Sequence, residues 1–154
     1  MFAMRSLLVT ASFAVAGGLF SAPAAAQFAK PEDAVKYRKS AMFLESTHLS
    51  RIFAMANGRV PLDAKVASEN AEVLAAVSKW QFTGFVEGSD KGDTKAKPEL
   101  WTEMDKFREK ASRNQEDVLK LSAAVKTGNV DAMKTAAGAV GQSCKSCHDS
   151  YRRD

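Results

Sequence analysis

Thiol and imidazole groups are scarce in this chain. Two cysteines and two histidines among 154 residues are too few for a scaffold stapled by several disulfides. Alternating apolar–polar runs are also rare, which excludes a mainly β architecture. Charge of one sign is nowhere massed, since 22 basic and 18 acidic residues are interspersed. An electrostatic footprint for nucleic acid is therefore missing. After the N-terminus, no apolar run approaches the roughly 20 residues needed to span a membrane. No acid/base pair or activated nucleophile stands out, so the chain does not read as an enzyme.

The N-terminal stretch MFAMRSLLVTASFAVAGGLFSAPAAAQ has one arginine, an apolar run broken by Gly17-Gly18, and a small-residue end at Ala24-Ala25-Ala26. That order is a secretory signal peptide with cleavage after Ala26. Residues 1–26 are then a removed leader, and residues 27–154 form one soluble domain exported to a bacterial periplasm, with no membrane attachment after cleavage.

Within that domain the apolar residues recur at helical spacing. Pro31-Glu32-Asp33 reads as a helix start, with proline in the first turn and acids at the positive end of the dipole. Its stripe is Ala34, Tyr37, Ala41, Leu44, His48, Ile52 and Met55, flanked by Val35, Arg38, Met42, Leu49 and Phe53, until Asn57-Gly58 ends it. A second helix starts near Leu62-Asp63 with the seam Val66, Asn70, Val73, Val77 and Trp80. The run from Gly84 to Lys97 has three glycines and no period, and reads as one long loop. Pro98-Glu99 opens a third helix with the seam Leu100, Met104, Phe107, Ala111, Asn114, Val118, Leu121 and Val125. After Thr127-Gly128-Asn129, a fourth carries Val130, Met133, Ala137, Val140, Cys144, Cys147 and Tyr151. Four amphipathic helices with short connections and one long loop predict an all-α, antiparallel four-helix bundle.

Both cysteines fall in the last helix, in VGQSCKSCHDSYRR, followed at once by His148. Three chemistries compete for this stretch. A disulfide or thiol-redox site is disfavoured, because the pair lies near the negative end of a helix and would close only a short loop. Zinc lacks a fourth ligand, since His48 lies about a hundred residues earlier. Cys-x-x-Cys-His is the attachment signal for haem c, and it agrees with export. The spacing lets Cys144, Cys147 and His148 address one buried object, so one covalent haem c is the expected cofactor and His148 the expected axial iron ligand.

With PEDAVKYRKSAM near the start, AKPELW before the third helix and the C-terminal motif, residues 27–154 resemble the cytochrome c′ family, the four-helix class II c-type cytochromes. The resemblance implies that Cys144 and Cys147 hold the haem, that His148 ligates the iron, and that Arg152 stands beside that ligand. It also implies that Arg38 and Lys39 lie near haem propionates and Asp93 near the haem edge. Phe82 and Phe85 match aromatic haem-packing positions, though they are equally ordinary core residues. Met42 matches the position over the sixth coordination place. In cytochrome c′ an apolar residue there leaves the iron five-coordinate and open to nitric oxide and carbon monoxide. In low-spin relatives a methionine there binds the iron, and the protein carries electrons to a redox partner. The five-coordinate form is the expectation, with His48 a structural histidine rather than a ligand. The resemblance further implies a homodimer formed through the first two helices, with Leu62 or Phe53 as possible exposed contributors.

Overall fold

The computed structural model of the chain describes residues 27–154; the expected leader lies outside the described residues. Four long helices make up almost the whole domain: α1 (Pro31–Ala56), α2 (Ala64–Trp80), α4 (Met104–Thr127) and α5 (Val130–Tyr151). A 3-10 turn (Gln81–Gly84) closes α2, and a one-turn helix α3 (Glu99–Thr102) precedes α4. The long helices pack in a ring, α1 on α2, α2 on α4, α4 on α5 and α5 back on α1. This is the expected antiparallel four-helix bundle. No helix among the described residues is long and apolar enough to cross a membrane.

The boundaries follow local chemistry. Pro31 occupies the first turn of α1, where a missing N–H costs nothing, beside Glu32 and Asp33. Asp63 caps α2 by accepting from the Val66 N–H at 3.0 Å, and Asn129 caps α5 by accepting from the Ala132 N–H at 2.9 Å. Gly58 and Gly128 adopt φ values of 66° and 68° just past α1 and α4, the left-handed conformation that ends a helix most cheaply with glycine.

Two seams differ from expectation. In α2 the buried residues are Ala67, Asn70, Ala71, Leu74 and Ser78, while Val66, Val73 and Trp80 are exposed. Apart from Leu74 the inner face carries small or polar side chains, and Val66, Val73 and Trp80 turn outward. In α1, Leu44 is exposed and the next residue, Glu45, is buried in its place. The expected third helix is broken at Glu103 (φ −116°, ψ 36°). There the Trp101 indole donates to the Val86 carbonyl, and Glu103 accepts from the Tyr151 hydroxyl.

The interior holds two apolar clusters. The larger joins Leu49, Ile52, Leu74, Val118, Leu121, Met133 and Val140. The smaller is aromatic, with Phe107 packed against Phe82, Phe85 and Tyr151 at centroid separations of 5.8, 4.7 and 5.8 Å. Cys144 packs on the first cluster and Cys147 on the second.

Candidate haem site

Between the two clusters lies an open-mouthed cavity of about 240 Å³. Met42, Glu45, Leu49 and Phe53 of α1 form one wall. Gln81 and Phe82 of the 3-10 turn, and Lys110 and Asn114 of α4, form two more. The α5 wall carries Ser143, Cys144, Cys147 and His148. Spacings of three and four along α5 place both thiols and the imidazole at this one opening.

The thiols are unbridged. Burial pushes Cys144 up to about 11, with the nearby Glu45 adding to the effect, and burial also raises Cys147. Both stay protonated at neutral pH. A redox-active cysteine pair needs the opposite shift, so thiol–disulfide chemistry does not fit. Burial, reinforced by the positive charge of Arg152, lowers the pKa of His148. The ring is therefore neutral at pH 7 and keeps the lone pair that metal ligation requires. Two thiols and a neutral imidazole on one wall, in a largely apolar cleft, suit a covalently held haem.

The other expected site residues fall into four groups. Met42 and Phe82 line the cavity with the motif. Arg152 is exposed, one turn past His148, and its backbone pairs with Ala96 as an isolated bridge. Lys39 and Asp93 meet each other in an exposed 2.6 Å ion pair, away from the cavity walls.

Arg38 is buried but does not line the cavity. Its guanidinium donates to the Gly84 carbonyl (2.9 Å), the Ser89 hydroxyl and carbonyl (both 2.7 Å) and the Thr94 hydroxyl (2.7 Å). The same group lies 4.5 Å from the centroid of Phe85 and 5.6 Å from that of Trp101. Arg38 thus holds the long loop against α1, and Phe85 packs among Trp101, Phe107 and Arg38. Gly84 permits this close approach: a Cβ there would sit 2.9 Å from both the Ala34 carbonyl oxygen and the Arg38 Cβ. The far end of the loop is tied to α5 by Lys97 N–H to the Tyr151 carbonyl (2.9 Å) and Arg153 N–H to the Lys95 carbonyl (2.8 Å). His48 lies 2.8 Å from the Asn70 side-chain oxygen, the structural role expected of it.

Several lining residues were missed by sequence reasoning, chiefly Glu45, Gln81, Asn114 as a site residue, and Ser143. Glu45 fills the gap in the stripe Arg38, Met42, Leu49, Phe53, and that gap was the available signal. The residue as a whole is 5 % exposed. One oxygen, Oε1, has no hydrogen-bond partner among the described residues, an arrangement costing about 1–3 kcal/mol. Burial raises its pKa to about 7, with Gln81 alongside partly opposing the shift. Phe53 lines the cavity rather than the outer surface, so of the two residues considered for a dimer contact only Leu62 is exposed.

The family model for cytochrome c′ matches residues 33–152. A cytochrome c′ from Alcaligenes xylosoxydans is 44 % identical over 127 residues, covering 82 % of this chain and 98 % of the relative. The crystal structure of a cytochrome c′ from Rubrivivax gelatinosus superposes with a TM-score of 0.80 at 44 % identity, covering 82 % of this chain and all of that one. A nitric oxide complex of a mutant cytochrome c′ from Alcaligenes xylosoxidans superposes at 0.78 with 42 % identity, covering 83 % and 99 % of the two chains.

Proposed function

Because the chain belongs to the cytochrome c′ family, we propose that its cavity is a haem site for small gases, with Cys144 and Cys147 as the attachment residues and His148 as the axial ligand. The protein is a c-type haem protein with one covalently bound haem c, and it binds small gases. The observation that carries the residue assignment is the common cavity: Cys144, Cys147 and His148 line it from α5, and Met42 lines it from α1.

When bound, the haem iron supplies the coordination place that a diatomic gas occupies. The chain supplies selection. Met42, Leu49, Phe53 and Phe82 make an apolar surround, which admits neutral diatomics without a desolvation penalty. Met42 is the residue that a gas must move past. The His148 ring on α5 would hold the iron, since burial, together with the Arg152 charge, disfavours its protonation. Nitric oxide and carbon monoxide are the ligands of this reading. It needs no catalytic residue, and electron exchange with a redox partner would be secondary. The alternative is a His148/Met42-ligated electron carrier.

The cellular reading is periplasmic. Thioether attachment takes place outside the cytoplasm, and the leader-like residues 1–26 agree with export. The assembly reading is a homodimer through α1 and α2. It is supported by Phe43 and Leu44 on α1 and by Val66, Val73 and Trp80, seven residues apart on α2, all apolar and exposed.

Mass spectrometry of protein exported from a host competent in c-type maturation tests the attachment. The mass should equal the polypeptide from Gln27 plus one haem, and should lose the haem increment in a Cys144→Ser/Cys147→Ser variant. A mass matching the bare polypeptide would remove the haem reading and leave a helical interaction module.

A further inference from the structure

A carboxyl side chain stands where a bundle interior ordinarily has an apolar one. Glu45 of α1 is more than nine-tenths buried and lines the haem cavity. Three polar residues on the same lining are buried as deeply: Gln81 of the 3-10 turn, Asn114 of α4 and Ser143 of α5. These three are connected. Gln81 Nε2 donates to Asn114 Oδ1 at 3.3 Å, and Asn114 Nδ2 donates to Ser143 Oγ at 3.1 Å. The bonds hold the Gln81 amide in place beside Glu45, where it partly steadies the negative form of the carboxyl. At Oε1 nothing does so, because that oxygen is fully buried and has no partner among the described residues.

No cation makes up the loss. The ionisable groups that share the lining with Glu45 are Lys110 on α4 and Cys144, Cys147 and His148 on α5. Lys110 is engaged by Ser146, donating to its Oγ at 2.8 Å. The thiols become thioethers on haem attachment and cease to titrate. The charges that act on His148 are those of Arg152 and Asp149, so Glu45 stands apart from the proposed ligand. Its charge does reach Cys144, a proposed attachment residue, whose thiol it holds protonated. A buried carboxylate of this kind has lost its hydration without replacement. Positive charge added to the cavity then favours the ionised form, and its removal favours the acid. The charge of a haem iron changes by one between its ferric and ferrous states. Burial has already lifted the Glu45 pKa to about 7, so one charge nearby moves it across neutrality.

We propose that Glu45 is a redox-linked proton site, whose carboxylate takes up a proton when the iron is reduced and releases it when the iron is oxidised. This rests on the haem reading of the cavity and deepens it. The electron comes from a one-electron donor outside the chain, the proton passes from solvent to a Glu45 oxygen, and no other bond forms or breaks. The iron loses one positive charge as the carboxyl loses one negative charge, so the net charge of a poorly solvated cavity stays the same. By linkage, the reduction potential falls as pH rises through the range in which Glu45 ionises.

Spectroelectrochemical titration of the holoprotein, as wild type and Glu45→Gln, tests this across neutral pH. At a fixed applied potential, the ratio of reduced to oxidised wild type should fall with rising pH about tenfold further than that of Glu45→Gln, the size of one charge pair across a cavity at an effective protein dielectric. The two proteins should agree at the acid end, where Glu45 is as neutral as glutamine. Parallel pH dependences would overturn the proposal, since a titration left in Glu45→Gln belongs to other groups. The infrared difference spectrum, reduced minus oxidised, is a second readout. Wild type should gain a protonated-carboxyl band near neutral pH, and Glu45→Gln should lack it. No such band in wild type would overturn the proposal even if the variant failed to fold, and so would the same band in both proteins. Wild type without a haem spectrum would overturn the haem reading together with this one, whereas a haem protein with parallel pH profiles would overturn this one alone.

Discussion

A carboxyl group with one unpartnered oxygen is the least comfortable buried group in this bundle, and its cost depends on pH. The folded-state pKa of Glu45 is about 7 against an ordinary 4.5, so folding takes up a proton between those values. The unfolded chain binds fewer protons in that window, and stability therefore falls as pH rises through it. The penalty is absent below the unfolded pKa and fully developed above the folded one. Replacing Glu45 with Gln should remove this dependence. Denaturant unfolding should show the variant gaining up to about 3 kcal/mol more over wild type at about pH 8 than at about pH 4. An equal difference at both pH values would mean that Glu45 is not the titrating group. The neighbouring positions explain what was readable here. Met42 and His48 were legible because their side chains are chemically distinctive. Glu45 was not, because a carboxylate on a helix is nearly always a solvent-facing residue, and only the missing step in the stripe marked it.

Among the elements, the long loop matters most to the site's frame. It carries Phe85 into the aromatic cluster and is fastened to α1 by Arg38 and to α5 by backbone bonds from Lys97 and Arg153. Arg38→Ala should therefore act as a stability mutation first. It strands the buried Gly84 and Ser89 carbonyls and removes the stack on Phe85 and Trp101, for a loss of at least about 3 kcal/mol. Thermal unfolding checks this, and an Arg38→Ala protein as stable as wild type would mean that the loop is held elsewhere. The loop's existence was plain from Gly84 to Lys97, where periodicity vanishes. Its attachment was not, because Arg38 bonds to two carbonyls and two hydroxyls about 50 residues away, a contact that no local pattern encodes. The α2 face was misread for a related reason. Val66, Val73 and Trp80 have helical spacing, but so do Ala67, Leu74 and Ser78, and periodicity cannot say which stripe meets the core and which faces outward.

For the molecule as a whole, that second stripe is a prediction about assembly. Val73 lies midway between Val66 and Trp80 on the outer face of α2, and all three are exposed. Val73→Glu should turn a dimer into a monomer in sedimentation experiments while the helical signal stays intact. A wild-type protein that sediments as a monomer would contradict the assembly reading outright. The bundle itself, its four long helices and the α5 motif were all legible, since they rest on periodicity, caps and a short motif of distinctive residues. The depth of the cavity's polar wall was not, because it is assembled from four elements.

The central claim is that one wall of this cavity holds the iron while Met42, facing it, leaves the sixth place open. The absorption spectrum of the purified holoprotein, oxidised, reduced and reduced with carbon monoxide, tests that most directly. Five-coordinate, high-spin spectra in both oxidation states, and a rapid shift on adding carbon monoxide, are the predicted result. A sharp low-spin band on reduction, a methionine-to-iron charge-transfer feature on oxidation, and no rapid carbon monoxide binding would contradict it and make Met42 the sixth ligand.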